Sequence, residues 1–297
     1  MAFANHLPKA STEVVQFGTT STKYLYVEGK SDKNIMARLV LARPNNVIIK
    51  NISDDQIPDE HLIPNIDLVQ EAKLKVTRIC NGKRVHGLVD RDGDDPKRFP
   101  PRCLSTDCRD LESTMFHYGG QQYVHDLLNS LTSPITPLPQ SVVDSFCKRL
   151  EKLASLLNGY FFPNGPSWGP YGSVCIKLDN LQPELQTGAT DRQILEAIAF
   201  TYGRPAHNPA AKITPKGEVN GHILVATFAI LIRLEVELRT HLERDQMDVQ
   251  FLDQRFEGLK KQTEKAMQLS VLPPLKEARM TTRIISELNL TTFPEWW

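Results

Sequence analysis

Between residues 22 and 118 the chain alternates short β-branched or aromatic runs with segments of helical period, and this alternation constrains its fold most. TKYLYVE (22–28), VIIK (47–50) and VHGLV (85–89) read as strands, with a further short strand expected at 104–107. Helices are expected from Ser31, as N-cap, to about Leu41, and over 65–79 with an imperfect period. A third should begin at Asp110, with Leu111, Met115 and His117 or Tyr118 facing the core. Strand, helix, strand, helix, strand in this order predicts an α/β fold, a parallel sheet flanked by helices.

After Gly119-Gly120 the grammar changes. Helices are expected over 121–131, 141–158 and 191–202, separated by Pro- and Gly-rich loops such as PNGPSWGPYG. An isolated strand is expected at 173–178, and residues 211–219 should return to the sheet. From 221 to 242 one helix is expected that is apolar on more than one face, hence buried. Helices at 248–269 and 275–288 follow, and the chain ends in Phe293, Trp296 and Trp297. The expected organisation is a catalytic core over 1–120 and a helical insertion over 121–210. A C-terminal part over 211–297 returns to the core and carries a helical interaction region.

Composition excludes several classes. With 35 Lys+Arg against 35 Asp+Glu the 297-residue chain is not a generally basic nucleic-acid coat, which leaves room for a local basic surface. The longest apolar run, near 222–232, ends at Arg233 and Glu235, short of the roughly 18 residues of a membrane span. The N-terminal MAFANHLPKASTEVV has no basic segment followed by an apolar one, so a cytoplasmic protein without membrane contact is expected. Cys80, Cys103, Cys108, Cys147 and Cys175 form no CxxC pair and read as scattered reduced thiols.

The chemistry is concentrated where acidic residues meet strand ends. Glu28 ends the first strand and Asp32 opens the next helix (YVEGKSD), while Asp90 and Asp92 follow the third strand (GLVDRDGDD). Glu112, in STDCRDLES, falls in the first turn of the following helix. An isolated strand-end carboxylate is ordinarily a solvated loop residue or a helix cap. In a parallel sheet, however, the carboxyl ends of adjacent strands share one crevice, and several carboxylates there repel unless a hard cation joins them. A Mg²⁺ site follows, with Mn²⁺ as the alternative. An EF-hand starting at Asp90 fails because Asp95 and Pro101 stand where Gly and Glu are required. A dehalogenase-type Asp-x-Asp belongs on the first strand of its chain, and a glycosyltransferase Asp-x-Asp leaves Glu28 unexplained.

These segments resemble the TOPRIM catalytic fold of topoisomerases, bacterial primases and OLD-type nucleases, in which a strand-end Glu and an Asp-x-Asp pair hold Mg²⁺. TDCRDLE narrows the resemblance to the stand-alone TOPRIM effectors that act with an ABC-type ATPase in PARIS-type anti-phage systems. The resemblance covers about residues 23–115 and is weak beyond. It implies a metal-dependent endonuclease, held inactive by its ATPase partner and released to cut tRNA. A homodimer is the expected oligomer, and the terminal aromatics are candidate interface residues. A DNA-nicking nuclease and a non-catalytic module docking on an ATPase are the alternatives.

On this reading Asp90 and Asp92 are metal ligands, Glu28 is a further ligand or the general base, and Asp32 and Glu112 complete the set around one or two metals. Lys30, Arg91, Arg109, Lys216 and His222 are candidates for contacting phosphate. Lys73, Lys75, Arg78, Lys83, Arg84, Lys97, Arg98 and Arg102 add basic flanks suited to a phosphate backbone. Trp168 and Tyr171 are candidates for stacking on unpaired bases, although packing is their commoner role.

Overall fold

A computed structural model describes residues 22–41, 47–61, 63–66, 70–80, 85–162, 185–201, 214, 217–245, 247, 256–270 and 272–288. The strand expected at 173–178, Lys83, Arg84, Trp168, Tyr171, Lys216 and the terminal aromatics lie outside these residues. The first elements are β1 (Lys23–Val27), α1 (Lys30–Leu41), β2 (Val47–Asn51), α2 (Ala72–Ile79), β3 (Val85–Val89) and β4 (Cys103–Ser105). Then come α3 (Leu111–Thr132), α4 (Gln140–Phe161), α5 (Asp191–Thr201), α6 (Gly221–Leu234), α7 (Val236–Arg244), α8 (Phe256–Leu269), α9 (Leu272–Lys276) and α10 (Arg279–Leu288). The chain divides into a sheet unit (1–90, 95–106 and 279–297) and a helical unit (91–94 and 107–278).

In the sheet unit four strands pair in the order β2-β1-β3-β4, all parallel, as the alternation of strands and helices requires. β3 is buried along its whole length, which explains its apolar run. Side chains alternate across the sheet, so Tyr26, Val85, Val89 and Cys103 share a cluster with Val76 and Ile79 of α2. Each such fully buried large side chain contributes about 1.5–3 kcal/mol. α10 packs on β4, and Lys23 Nζ donates to the Glu287 carbonyl at 3.1 Å. The register sets Val27 opposite Asn51 on one side and Leu88 on the other, which aligns the carboxyl ends of β1, β2 and β3.

Local details depart from the sequence reading for identifiable reasons. α1 starts at Lys30, and the side chain that caps it is Asp32, whose Oδ2 accepts from the Gly29 N–H at 2.9 Å; Ser31 lies inside the helix. α2 is shorter than the expected 65–79 helix and begins only at Ala72, after Asn65 with its left-handed φ of 61°. Of the expected 211–219 strand, the described residues 214 and 217–219 are not in a strand.

In the helical unit α6 is buried almost throughout, packed by α3, α4 and α8. The single helix expected over 221–242 breaks at Glu235, whose ψ of 115° leaves the helical region. Its carboxylate accepts from Arg149 Nη1 at 2.7 Å, and α7 begins at the next residue. α3 runs through Gly119-Gly120 as one kinked element, with Gly120 at φ 54° and ψ −143°. Leu111 and Met115 face the core as expected, but the third inward position is Phe116, with His117 exposed and Tyr118 half-buried.

Candidate metal centre

The sheet unit brings Glu28 and Asp90 together at the carboxyl ends of adjacent strands. Glu28 follows β1, Asp90 follows β3, and the Asp90 backbone N–H donates to Glu28 Oε1 at 2.8 Å. This charge-assisted bond spans 62 residues of sequence and holds the Glu28 carboxylate beside the start of the Asp-x-Asp segment. Both residues are half-buried. Asp32 sits one turn away on α1 and directs Oδ2 to Gly29 N–H, the role of a helix cap.

A third strand end adds residues that the sequence reading missed. After β2 the chain turns through Asn51-Ile52-Ser53-Asp54-Asp55, and Ser53 Oγ donates to the Glu28 carbonyl at 3.2 Å. Lys33 Nζ reaches Asp55 Oδ2 at 2.8 Å, while the Asn51 N–H donates to the same oxygen at 2.6 Å. Burial pushes the Asp55 carboxyl up, but the Lys33 ammonium and the Asn51 N–H outweigh it and hold its pKa below the usual carboxylate value. The signal in sequence was a third acidic cluster directly after an apolar strand, NISDD.

The other two carboxylates expected from the sequence, Asp92 and Glu112, belong to the helical unit. Asp92 N–H donates to the Arg109 carbonyl at 2.8 Å, and Arg109 N–H in turn donates to the Gly217 carbonyl at 2.9 Å. Asp92 has φ 50° and Gly93 φ 88°, so the Asp-x-Asp-Gly segment turns through the left-handed region; for a non-glycine residue this costs about 1–2 kcal/mol. Glu112 is half-buried in the first turn of α3, whose N-cap Asp110 accepts from Ser113 N–H through Oδ1 and from Gly221 N–H through Oδ2, at 2.8 and 2.6 Å. A Cβ at Gly221 would come within 2.5 Å of Asp110 Oδ1 and of Glu112 Cβ, so only glycine allows the N-terminus of α6 so close to that of α3.

The basic candidates are placed variously. Lys30 and His222 are exposed, His222 in the first turn of α6. Arg91 is ion-paired with Glu218. Arg109, a candidate for contacting phosphate, is only 1 % exposed, its guanidinium stacked 4.3 Å from the Phe162 ring centroid. Beside it, burial pushes the Cys108 thiol up to about 11, so it stays protonated at neutral pH. In the sheet unit Lys73 lies 5.5 Å from the Phe99 ring, while Arg78, Lys97, Arg98 and Arg102 are exposed.

Among the described residues no group of three or more His, Cys, Asp or Glu side chains is gathered closely enough to hold a metal ion. Mg²⁺ does not require three, because it binds through one or two carboxylates and keeps its waters and substrate phosphates. The all-oxygen donor chemistry of Glu28 and Asp90, joined at adjacent strand ends by the 2.8 Å bond, fits such an ion. Among the described residues no helix is long and apolar enough to cross a membrane. No known protein family matches the chain, and no curated protein matches it.

Proposed function

We propose that the chain is a Mg²⁺-dependent endonuclease of the TOPRIM type, an effector that cuts tRNA when released from an ABC-type ATPase. The observation that carries this reading is the bond from Asp90 N–H to Glu28 Oε1, which unites two acidic strand ends far apart in sequence. The left-handed backbone at Asp92 also favours it, since strain of this kind collects at functional sites. The ATPase partner, the homodimer and the preference for tRNA rest on the sequence resemblance.

Glu28 and Asp90 form the minimal ligand pair, and Asp32, Asp92 and Glu112 are the further candidates from the sequence. A bound Mg²⁺, or Mn²⁺ in its place, supplies a water of lowered pKa and draws charge from the phosphate oxygens. Asp90 supplies an anionic oxygen to hold the cation. Glu28, oriented by the Asp90 N–H, is a further ligand or takes the proton of the attacking water on its carboxylate. Lys30, exposed at the start of α1, offers its ammonium to the scissile phosphate.

Purified protein incubated with total tRNA and with plasmid DNA, with Mg²⁺ or with EDTA, tests the reading. Mg²⁺-dependent cutting of tRNA, absent from Asp90→Asn, is the expected result. Cutting of plasmid alone would replace the substrate, and no cutting of either by the protein freed from its ATPase would overturn the reading.

A further inference from the structure

The sequence scatters five cysteines without a paired motif, yet the fold brings two of them together. Cys80 is the C-cap of α2, and Cys103 is the first residue of β4. Between them lies Gly87 of β3, paired in register with Cys103. A side chain at Gly87 is excluded by these neighbours: its Cβ would collide with Cys80 Sγ and Val76 Cγ1 and stand 3.5 Å from Cys103 Sγ. The two sulfurs therefore face one small space left open by a glycine. Cys108 and Cys147, also buried, belong to the helical unit.

We propose that Cys80 and Cys103 are a redox couple that closes to a disulfide across Gly87, tying the end of α2 to the start of β4. The two members are not equivalent. The neighbouring Cys80 thiol lowers the pKa of Cys103 against the opposing effect of burial, with the Thr77 hydroxyl and the Lys73 ammonium assisting and Glu28 opposing. Cys103 and burial together push Cys80 above the usual thiol value. Cys103, whose pKa is lowered, is assigned as the attacking sulfur and Cys80 as the resolving one; exchanging the two roles gives the same disulfide.

With hydrogen peroxide as oxidant, the Cys103 thiolate attacks one peroxide oxygen. The O–O bond breaks, the second oxygen leaves as hydroxide and is protonated to water, and Cys103 becomes a sulfenic acid. Cys80 sulfur then attacks the Cys103 sulfur, the S–O bond breaks, and a second water leaves with the Cys80 proton. Two thiols are oxidised to one disulfide, and one peroxide is reduced to two waters.

The test treats the full chain with hydrogen peroxide in its folded state and measures intact mass and a non-reducing peptide map. Expected are a loss of about 2 Da, a linked peptide pair holding Cys80 and Cys103, and reversal by dithiothreitol. Cys80→Ala and Cys103→Ala should each abolish both the cross-link and the loss of about 2 Da. Three results would overturn the proposal. They are a gain of about 16 or 32 Da with no cross-link, a link through Cys108, Cys147 or Cys175, and an unchanged mass under conditions that oxidise the urea-unfolded chain. The wild-type peptide map decides the matter even where an alanine variant folds poorly.

Discussion

Acidic side chains serve differently in the two units. In the helical unit the buried Asp110 and Glu235 and the half-buried Asp191 are structural partners: Asp110 caps α3 and takes the Gly221 N–H, while Asp191 and Glu235 both bind Arg149. In the sheet unit Glu28 and Asp90 stand half-buried at the ends of parallel strands, linked by one backbone N–H. Asp55 shows that position alone does not decide, because it also follows a strand end and is tied to Lys33. A carboxylate that closes a helix or faces an arginine or lysine holds the fold together. Glu28 and Asp90 instead meet at adjacent strand ends through a backbone N–H, and the proposed chemistry rests on that pair.

The strongest way to break this contrast is at the strand ends. Asp90→Asn should lower tRNA cleavage by about 10²-fold or more with an unchanged urea midpoint, because an amide of the same shape loses its charge toward a cation. Glu28→Ala should be equally inactive and also less stable by about 1–2 kcal/mol, having lost the acceptor for Asp90 N–H. Glu28→Gln keeps an oxygen acceptor, so its stability should return while activity does not. Normal cleavage by Asp90→Asn would place Asp90 with the structural carboxylates.

The contrast sharpens at Arg149, which bonds Asp191 and Glu235 at 3.0 and 2.7 Å; these two side chains are 14 % and 8 % exposed. Arg149→Met takes the guanidinium from Glu235 and leaves Asp191 with Lys152 at 2.9 Å, and should cost about 3–5 kcal/mol in urea unfolding. Burial raises the Asp191 pKa, but Lys152 and Arg149 outweigh it and hold it below the usual value. The folded state thus releases this proton more readily than the unfolded chain. Its contribution is full above about pH 4 and is lost as pH falls through the folded pKa. Arg149→Met should flatten that acid slope. A smaller loss, about 2–3 kcal/mol, is expected for Asp110→Ala, which uncaps α3 and leaves Gly221 N–H buried without an acceptor. Either variant retaining wild-type stability would remove the structural half of the contrast.

Local chemistry made β1, β3 and the start of α3 at Asp110 legible, because β-branched runs and an Asp before an apolar helix act over a few residues. The break at Glu235 was not legible, since the Arg149 that holds its carboxylate is 86 residues away. Neither was the Cys80 and Cys103 pair, which exists only through the register of β3 on β4. The strand-end carboxylates were visible as a pattern, but nothing local distinguished Asp32, which caps its own helix, from Glu28, which reaches another strand. Arg109 was expected to contact phosphate because it stands beside acidic residues, whereas the Phe162 ring that covers it lies far along the chain.

The smallest effect concerns a buried base in the sheet unit. His86 on β3 is 5 % exposed, and its Nδ1 has no hydrogen-bond partner among the described residues. It lies on the opposite face of β3 from the Val85 and Val89 cluster, with Glu287 of α10, Lys23 of β1 and Arg102 before β4 as the charged groups acting on it. Burial lowers its pKa below the usual 6.5, Glu287 opposes this, and Lys23 and Arg102 reinforce it. The unfolded chain therefore takes up this proton first. His86 adds stability that is full above about pH 6.5 and declines as pH falls toward the folded pKa, with a slope of at most about 1.4 kcal/mol per pH unit. Urea unfolding between pH 7.5 and 5 should show this decline in the wild type and lose it in His86→Leu, which keeps an apolar side chain on β3. Asp90→Asn should retain the decline, because the two residues act on separate properties of the same strand. A slope that survives in His86→Leu would assign the titration to another group and leave His86 as packing alone.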